Sequence, residues 1–470
     1  MVLPRQITER GVEATLSRGP CAAPTTRRFA ILIAVLACVA GAHRPVDAQE
    51  PTALARGTAG VLTLDSVLIL IDTRSPRVRA ADALARATGA RVATALRPPD
   101  PELQLGLMNY SLPKGGPDPV LGMTQLQVMQ MVPIPGKLSA AGAAARARAD
   151  AASARALDVA WEVRAGAAMA FYERYQSAGS AALARETRRL LEDVAAIASA
   201  MYRVGEGRQS DVLRARVEIA RMDEEIVRME AMQEAATARL AAMADTTSDV
   251  VAGAPQLPVF PDSVPSLDAL EQLAVETRPM LAAGAAEVRA ASADVRLARR
   301  ELWPDLQVGL QYGQRRMDMG IDRMGSLMIG ATLPVFAGAR QLRMREESAA
   351  MRQMAVAELS SMRAETRNQL SQIRITLSST RRLRDLYTSS VLPQAEAATA
   401  AALSAYRTGA VDFMTVIENR MSVNRYRQEL FALDAAEGRA WVELEMVLGR
   451  VIVSRPLSAF STRPRAGGRP

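Results

Sequence analysis

The chain has 470 residues, enough for several ordinary domains, and a formal net charge of +8 from 58 Lys plus Arg against 50 Asp plus Glu. Basic and acidic residues are interleaved and only 4% of the chain is aromatic, too few for base-stacking platforms, so the charge does not point to nucleic acid. Nearly all of the positive charge is arginine, with Lys114 and Lys137 the only lysines.

Residues 1–48 read as a secretory signal. Arg27 and Arg28 form a basic start, an apolar stretch runs from Phe29 to Ala42, and Val46-Asp47-Ala48 is a small-residue cleavage site. The stretch is shorter than the roughly 20 residues of a membrane span. A lipoprotein box at Val35-Leu36-Ala37-Cys38 is the competing reading, although Leu36 fits it poorly. Both cysteines, Cys21 and Cys38, and the only histidine, His43, fall in this segment. Residues 49–470 therefore have no thiol or imidazole for a disulfide, a Cys nucleophile, a His base or a Cys/His zinc site. With no convincing carboxylate or phosphate-binding motif either, neither an enzyme nor a cofactor is expected.

Beyond the signal the chain repeats itself at an offset near 203. Leu64-Asp65 pairs with Leu267-Asp268, and Pro76 with Pro279. Pro101-Glu102-Leu103-Gln104-Leu105-Gly106-Leu107 pairs with Pro304-Asp305-Leu306-Gln307-Val308-Gly309-Leu310. Pro133-Ile134-Pro135-Gly136 and Tyr202-Arg203-Val204-Gly205 find counterparts in Pro334-Val335-Phe336-Ala337-Gly338 and Tyr406-Arg407-Thr408-Gly409. Blocks in one order at one offset indicate duplication. The domains expected are a signal at 1–48, a first copy at 62–250, a Pro-rich linker at 251–266, a second copy at 267–450, and a disordered basic tail at 451–470.

Each copy reads as helix, strand, strand, long helix, turn, helix. The first helices, 76–97 and 279–302, are each followed by proline. Alternation then replaces the helical period. Leu306, Val308, Leu310 and Tyr312 alternate with Gln307, Gly309, Gln311 and Gly313, and residues 327–333 behave alike. Leu103, Leu105, Leu107, Leu126 and Val128 mark the first-copy strands. Their length and their apolar-out, polar-in pattern suit a barrel wall. Four strands cannot close in lipid, whereas three chains would supply twelve, an even number that can. Residues 137–204 would form one helix about 100 Å long, matched by shorter helices at 76–97 and 208–245. The second copy repeats this with 339–408 against 279–302 and 411–450, and Pro393 should kink its long helix. The expected fold is mainly α with a transmembrane β-barrel portion. The rival reading is a periplasmic coiled-coil structural or adaptor protein without a barrel.

These features together resemble the TolC-type outer-membrane efflux proteins, nearest the heavy-metal or cation efflux members. The resemblance rests on Arg278-Pro279 opening a helix, Trp303-Pro304-Asp305-Leu306 entering a strand, Leu333-Pro334-Val335-Phe336-Ala337-Gly338 leaving the sheet, and Tyr-Arg-x-Gly at 202–205 and 406–409. Pro133-Ile134-Pro135-Gly136-Lys137 is similar to the strand exit of the heavy-metal members. The resemblance implies a homotrimer with a twelve-stranded barrel among outer-membrane lipids and a long α-helical tunnel in the periplasm. It also implies a periplasmic adaptor and an inner-membrane pump such as an RND transporter as partners, with passive conduction of metal cations or small toxic compounds. Tyr202, Arg203, Gly205, Tyr406, Arg407 and Gly409 would form adaptor-docking tips. Ser210 and Asp211, with Asp412, Thr415 and Glu418, would line the periplasmic entrance, Thr415 standing where the family carries an acid. Met317, Met319 and Met324, expected in an outer loop, are weak candidates for a soft metal; ordinary packing is the plainer reading of methionine.

Overall fold

A computed structural model describes residues 60–111, 116–117, 122–317 and 320–453. The signal segment, Met319 and tail residues 454–470 lie outside this set.

The fold is set by where prolines and caps interrupt the helices. A three-residue strand β1 (Val61–Thr63) runs into helix α1 (Leu64–Arg74), capped by the Thr63 hydroxyl, which accepts from Ser66 N. Pro76 then opens α2 (Pro76–Ala95). A residue before proline is pushed out of the α region, so Ser75 takes φ −57°, ψ 121° and the chain breaks there. The second copy repeats the device: Ser266 caps α5 (Leu267–Thr277), and Arg278, at φ −66°, ψ 116°, precedes α6 (Pro279–Arg300). Each copy thus holds one short helix more than its alternation suggested. The first copy continues with strands β2 (Glu102–Met108) and β3 (Met123–Val132), then α3 (Lys137–Arg203) and α4 (Gln209–Met243). Strand β4 (Ala254–Gln256), inside the Pro-rich linker, pairs parallel with β1.

In the second copy β5 spans Asp305–Met317 and β6 spans Gly320–Thr332. Both exceed the 306–313 and 327–333 expected, because the ladder continues through polar residues such as Gln314, Arg315 and Arg323 after hydrophobic alternation has faded. Met317 therefore closes β5 and Met324 lies within β6, not in a loop. The four strands form one antiparallel sheet in the order β2-β3-β5-β6.

Helix α7 (Gln341–Leu386) passes through a π turn, Tyr387–Val391, into α8 (Leu392–Arg407), and α9 (Phe413–Leu448) returns. The disturbance expected from Pro393 is this π turn. Proline lacks an N–H and crowds the carbonyl four residues back, at Ser389, and a widened turn relieves both.

Three apolar clusters hold the helices together, one around Ile71, Phe171, Tyr172 and Leu240, one around Leu370, Leu377, Trp441 and Leu444, and one near the turns around Leu191, Phe413 and Val416. Arginines on the long helices pin the linker. Arg174 donates to the carbonyls of Val251 and Ala252 at 2.7 and 2.5 Å. Arg381 donates to Pro261 O and to Asp262 O, and shares the buried Glu437 carboxylate with Arg384. At the far end, Glu445 Oε1 accepts from Ile452 N and Val453 N, both at 2.9 Å. Residues 451–453, assigned from sequence to the tail, are thus ordered against α9.

Candidate functional site

Two places gather the sequence candidates: the helix–helix turns and one face of the sheet. At the first turn α3 ends in Arg203, and Gly205 takes φ +83°; at the second α8 ends in Arg407, and Gly409 takes φ +75°. A Cβ at either glycine would meet nothing within 4 Å, so backbone conformation rather than crowding requires glycine there. Glu206 N and Gly207 N return to Met201 O, and Ala410 N returns to Ala405 O, closing the last turns.

The two Tyr-Arg-x-Gly motifs diverge in their surroundings. Tyr202 is 47% exposed, whereas Tyr406 is 5% exposed and packs edge-on against Phe413, ring centroids 5.5 Å apart. The Tyr406 side chain is therefore part of the core beneath the turn and does not present the docking surface expected of it. Its buried hydroxyl has no hydrogen-bond partner among the described residues. Burial pushes the phenol up, and the nearby carboxylates of Asp211 and Asp412 push it further. Asp211 is itself buried at 8% exposure and accepts from Ser210 Oγ at 3.3 Å, while Ser210 remains exposed. Asp412, Thr415 and Glu418 are exposed at three-residue spacing where α9 begins. The structure thus brings Asp211 toward Tyr406 and leaves Glu418 on the surface.

The sheet separates most of its side chains by face, with Thr124, Gln130, Gln314 and Arg323 as polar residues on the leucine side. By register, Leu103, Leu105 and Leu107 share one face with Leu126, Val128, Leu310, Tyr312, Leu327 and Ile329. Gln104, Gln125, Gln127, Gln307 and Gln311 share the other. In β5 the apolar Leu310 and Tyr312 are 63% and 47% exposed, while Gly309 and Gly313 are buried. The same contrast holds in β3. The glutamine face is therefore the less exposed side of the two central strands. Six methionines lie on it: Met108, Met123, Met129, Met131, Met324 and Met328. None of the methionines on the described strand side chains lies on the leucine face. Periodicity could have shown this in part, since Met108, Met123, Met129 and Met131 fall in step with Gln104, Gln125 and Gln127. Of the sequence candidates only Met324 belongs to the group with a described side chain.

A third feature joins the two copies. Lys137, at the exit of β3, places Nζ 2.6 Å from Asp305 Oδ2 at the entry of β5, and Ile134 N approaches the same carboxylate at 3.4 Å. Both side chains are mostly buried. Among the described residues no group of three or more His, Cys, Asp or Glu side chains could hold a metal ion, and no helix is long and apolar enough to cross a membrane.

The family model for outer membrane efflux proteins matches residues 69–245 and 270–450, most of both copies. Among solved structures the chain is similar to the outer-membrane channel OprN, at 18% identity over 82% of this chain and 89% of that one, with a TM-score of 0.69. It is similar to the outer membrane protein VceC from Vibrio cholerae, at 18% identity over 83% and 96%, with a TM-score of 0.71. The open state of the MtrE outer membrane channel of Neisseria gonorrhoeae is also similar, at 14% identity over 82% and 89%, with a TM-score of 0.68. No curated protein sequence matches the chain. The two-segment match, one segment to each copy, shows that the chain belongs to the outer membrane efflux protein family.

Proposed function

We propose that this chain is the outer-membrane exit duct of a tripartite efflux system and that it works as a homotrimer with a twelve-stranded barrel. The observation that carries this is the register of the sheet. In the first hairpin Glu102 faces Met129, and in the second Asp305 faces Thr332; both members shift by 203. The two hairpins are therefore interchangeable units. Within the chain they meet with Met129 opposite Gly309 and Val128 opposite Leu310. Applying the same shift to the free edges sets Thr332 of β6 opposite Gly106 of a neighbour's β2, and Ala331 opposite Leu107. The charge pair transfers as well: Lys137 becomes Arg340 and Asp305 becomes Glu102. Both of these are exposed in the single chain, and among the described residues Arg340 has no ion-pair partner. Open edges are not tolerated in lipid, so an apolar-faced sheet of four strands needs such neighbours.

The glutamine face then lines the lumen and the leucine face meets outer-membrane lipid. The long helices form a periplasmic tunnel. Its turns, with the exposed Tyr202, Arg203 and Arg407, dock a periplasmic adaptor that links to an inner-membrane pump. Asp412, Thr415 and Glu418 border the entrance, and Asp211 stands behind it against Tyr406. Three copies of each carboxylate would favour cations.

Cysteines at Thr332 and Gly106 test the arrangement. The chain with both should oxidise to a covalent trimer on denaturing gels, because facing strand positions lie within disulfide reach. A chain with either one alone should not. Failure of the pair to cross-link in outer-membrane extracts would sink the trimer reading.

A further inference from the structure

The duct reading leaves the methionines unexplained. A water-filled barrel carries polar side chains inward and apolar ones outward. On the glutamine face of this sheet methionine is the only apolar side chain other than glycine among the described positions; Glu, Gln, Asp, Ser, Thr and Arg make up the rest. Apolar filler would gain more on the leucine face, where burial in lipid is favourable, and described methionines are absent from it. An apolar solute passing through would be served as well by Leu, Val or Ile, and none of these stands on the glutamine face among the described residues. What methionine offers that they do not is a polarizable thioether.

The methionines are also brought together across strands. Gln125 Nε2 lies 2.8 Å from Met108 Sδ and 3.4 Å from Met123 Sδ, so one small group already bridges both sulfurs. Met108 and Met123 are direct partners in the ladder. Six residues further along β3 than Met123, Met129 joins Met328 in flanking Gly309 from the two neighbouring strands. A Cβ built at Gly309 would meet Met328 Cε at 3.4 Å and Met129 Cγ at 3.5 Å. At Gly313 it would overlap Met123 Cε, 2.1 Å away. The glycines are thus seats over which methionine side chains lie and converge.

We propose that this inner wall binds a soft monovalent cation, Cu(I) or Ag(I), through paired thioethers, with Met108/Met123 and Met129/Met328 as successive sites along the lumen. Thioethers prefer such ions over the hard cations that carboxylates attract. Two neutral sulfurs bind weakly enough for an ion to be handed on, as passage through a pore requires. The inference rests on the duct reading, which makes the glutamine face the wall of a lumen.

The test uses the full chain purified in detergent, with Ag+ supplied as nitrate in chloride-free buffer. Calorimetry should detect binding, and X-ray absorption at the silver edge should show sulfur neighbours. Replacing Met108, Met123, Met129 and Met328 by Leu keeps volume and should weaken silver binding by roughly tenfold or more, as loss of supporting groups does at other metal sites. The double variant Met108→Leu/Met123→Leu should lose part of the binding, and it stands in for the fourfold variant if that one fails to form trimers. Silver bound only through oxygen or nitrogen, or bound equally by the Leu variants, would overturn the inference. Potassium conductance in planar bilayers separates the two readings. Wild type that conducts but binds no silver through sulfur removes the site alone; a chain that passes no current removes the duct and the site with it.

Discussion

Helices α2 and α6 are the same element in the two copies, yet they live in different surroundings. Helix α6 buries Pro279, Leu281, Ala283, Gly284, Ala286, Ala290, Ala293 and Ala298, whereas α2 has no buried residue at all. The reason is position. Helix α6 lies between α3 and α7, and α2 packs chiefly on α3 alone. Charge divides less sharply: α6 exchanges ion pairs with α3 through Asp294–Arg148, Glu287–Arg155 and Arg289–Asp150, while α2 reaches α3 through Arg77–Glu162 and pairs Arg79 with Asp245. The strands agree, for β3 and β5 are covered on both edges and β2 and β6 on one. One unit in two contexts shows which surfaces the fold completes within a chain and which it leaves open.

Three experiments press on that comparison. The largest effect belongs to the closed packing. A Cβ at Gly438 of α9 would stand 2.2 Å from Tyr172 Cε1, against a ring with Phe171 and Phe260 around it. Gly438→Ala should cost about 1–3 kcal/mol, read by thermal unfolding in detergent. An unchanged melting temperature would mean that this contact is looser than the distance implies. The next effect separates the two seams. Lys137→Ala strips Asp305 of its partner inside one chain and should lower unfolding stability by about 1 kcal/mol in monomer and trimer alike. Arg340→Ala should leave monomer unfolding unchanged and shift only the balance between monomer and trimer. Equal effects of both on the monomer would break the equivalence between the seams. The smallest effect concerns the tip. The raised Tyr406 phenol contributes stability that is present below its unfolded pKa of about 10 and lost as pH climbs through its higher folded value. Hydrogen exchange near the second turn should therefore quicken in alkali, and Tyr406→Phe should flatten that response. Persistence of the same limb in the variant would assign it to another group.

Much of the fold was legible from residues alone. Proline at 76, 279 and 393, glycine at 205 and 409, and the alternation after Pro101 and Pro304 each act through local sterics, and local sterics leave marks in sequence. Other features depend on partners distant in the chain. Strand β1 is three residues long and pairs with Ala254–Gln256, where Pro255 argues against a strand, so only the folded linker reveals it. The extension of β5 and β6 through arginine and glutamine needs the neighbouring ladder. The unlike fates of Tyr202 and Tyr406 had a readable cause: Phe413 comes after the second turn, and Gln209 occupies the matching place after the first. The Lys137–Asp305 pair joins two motifs that were each recognised, but separately.

The common register of the hairpins has a consequence for how such a wall assembles. In the proposed trimer, six equal hairpins joining as separate chains would have to find one another by diffusion at every seam. Joining them in pairs along one polypeptide turns half of the seams into intramolecular contacts, formed at the effective concentration of a tether. The remaining seams are then the only ones that depend on protein concentration, so assembly responds less steeply to dilution. Lys137 with Asp305 and Arg340 with Glu102 would be one chemical solution used twice, once within a chain and once between chains.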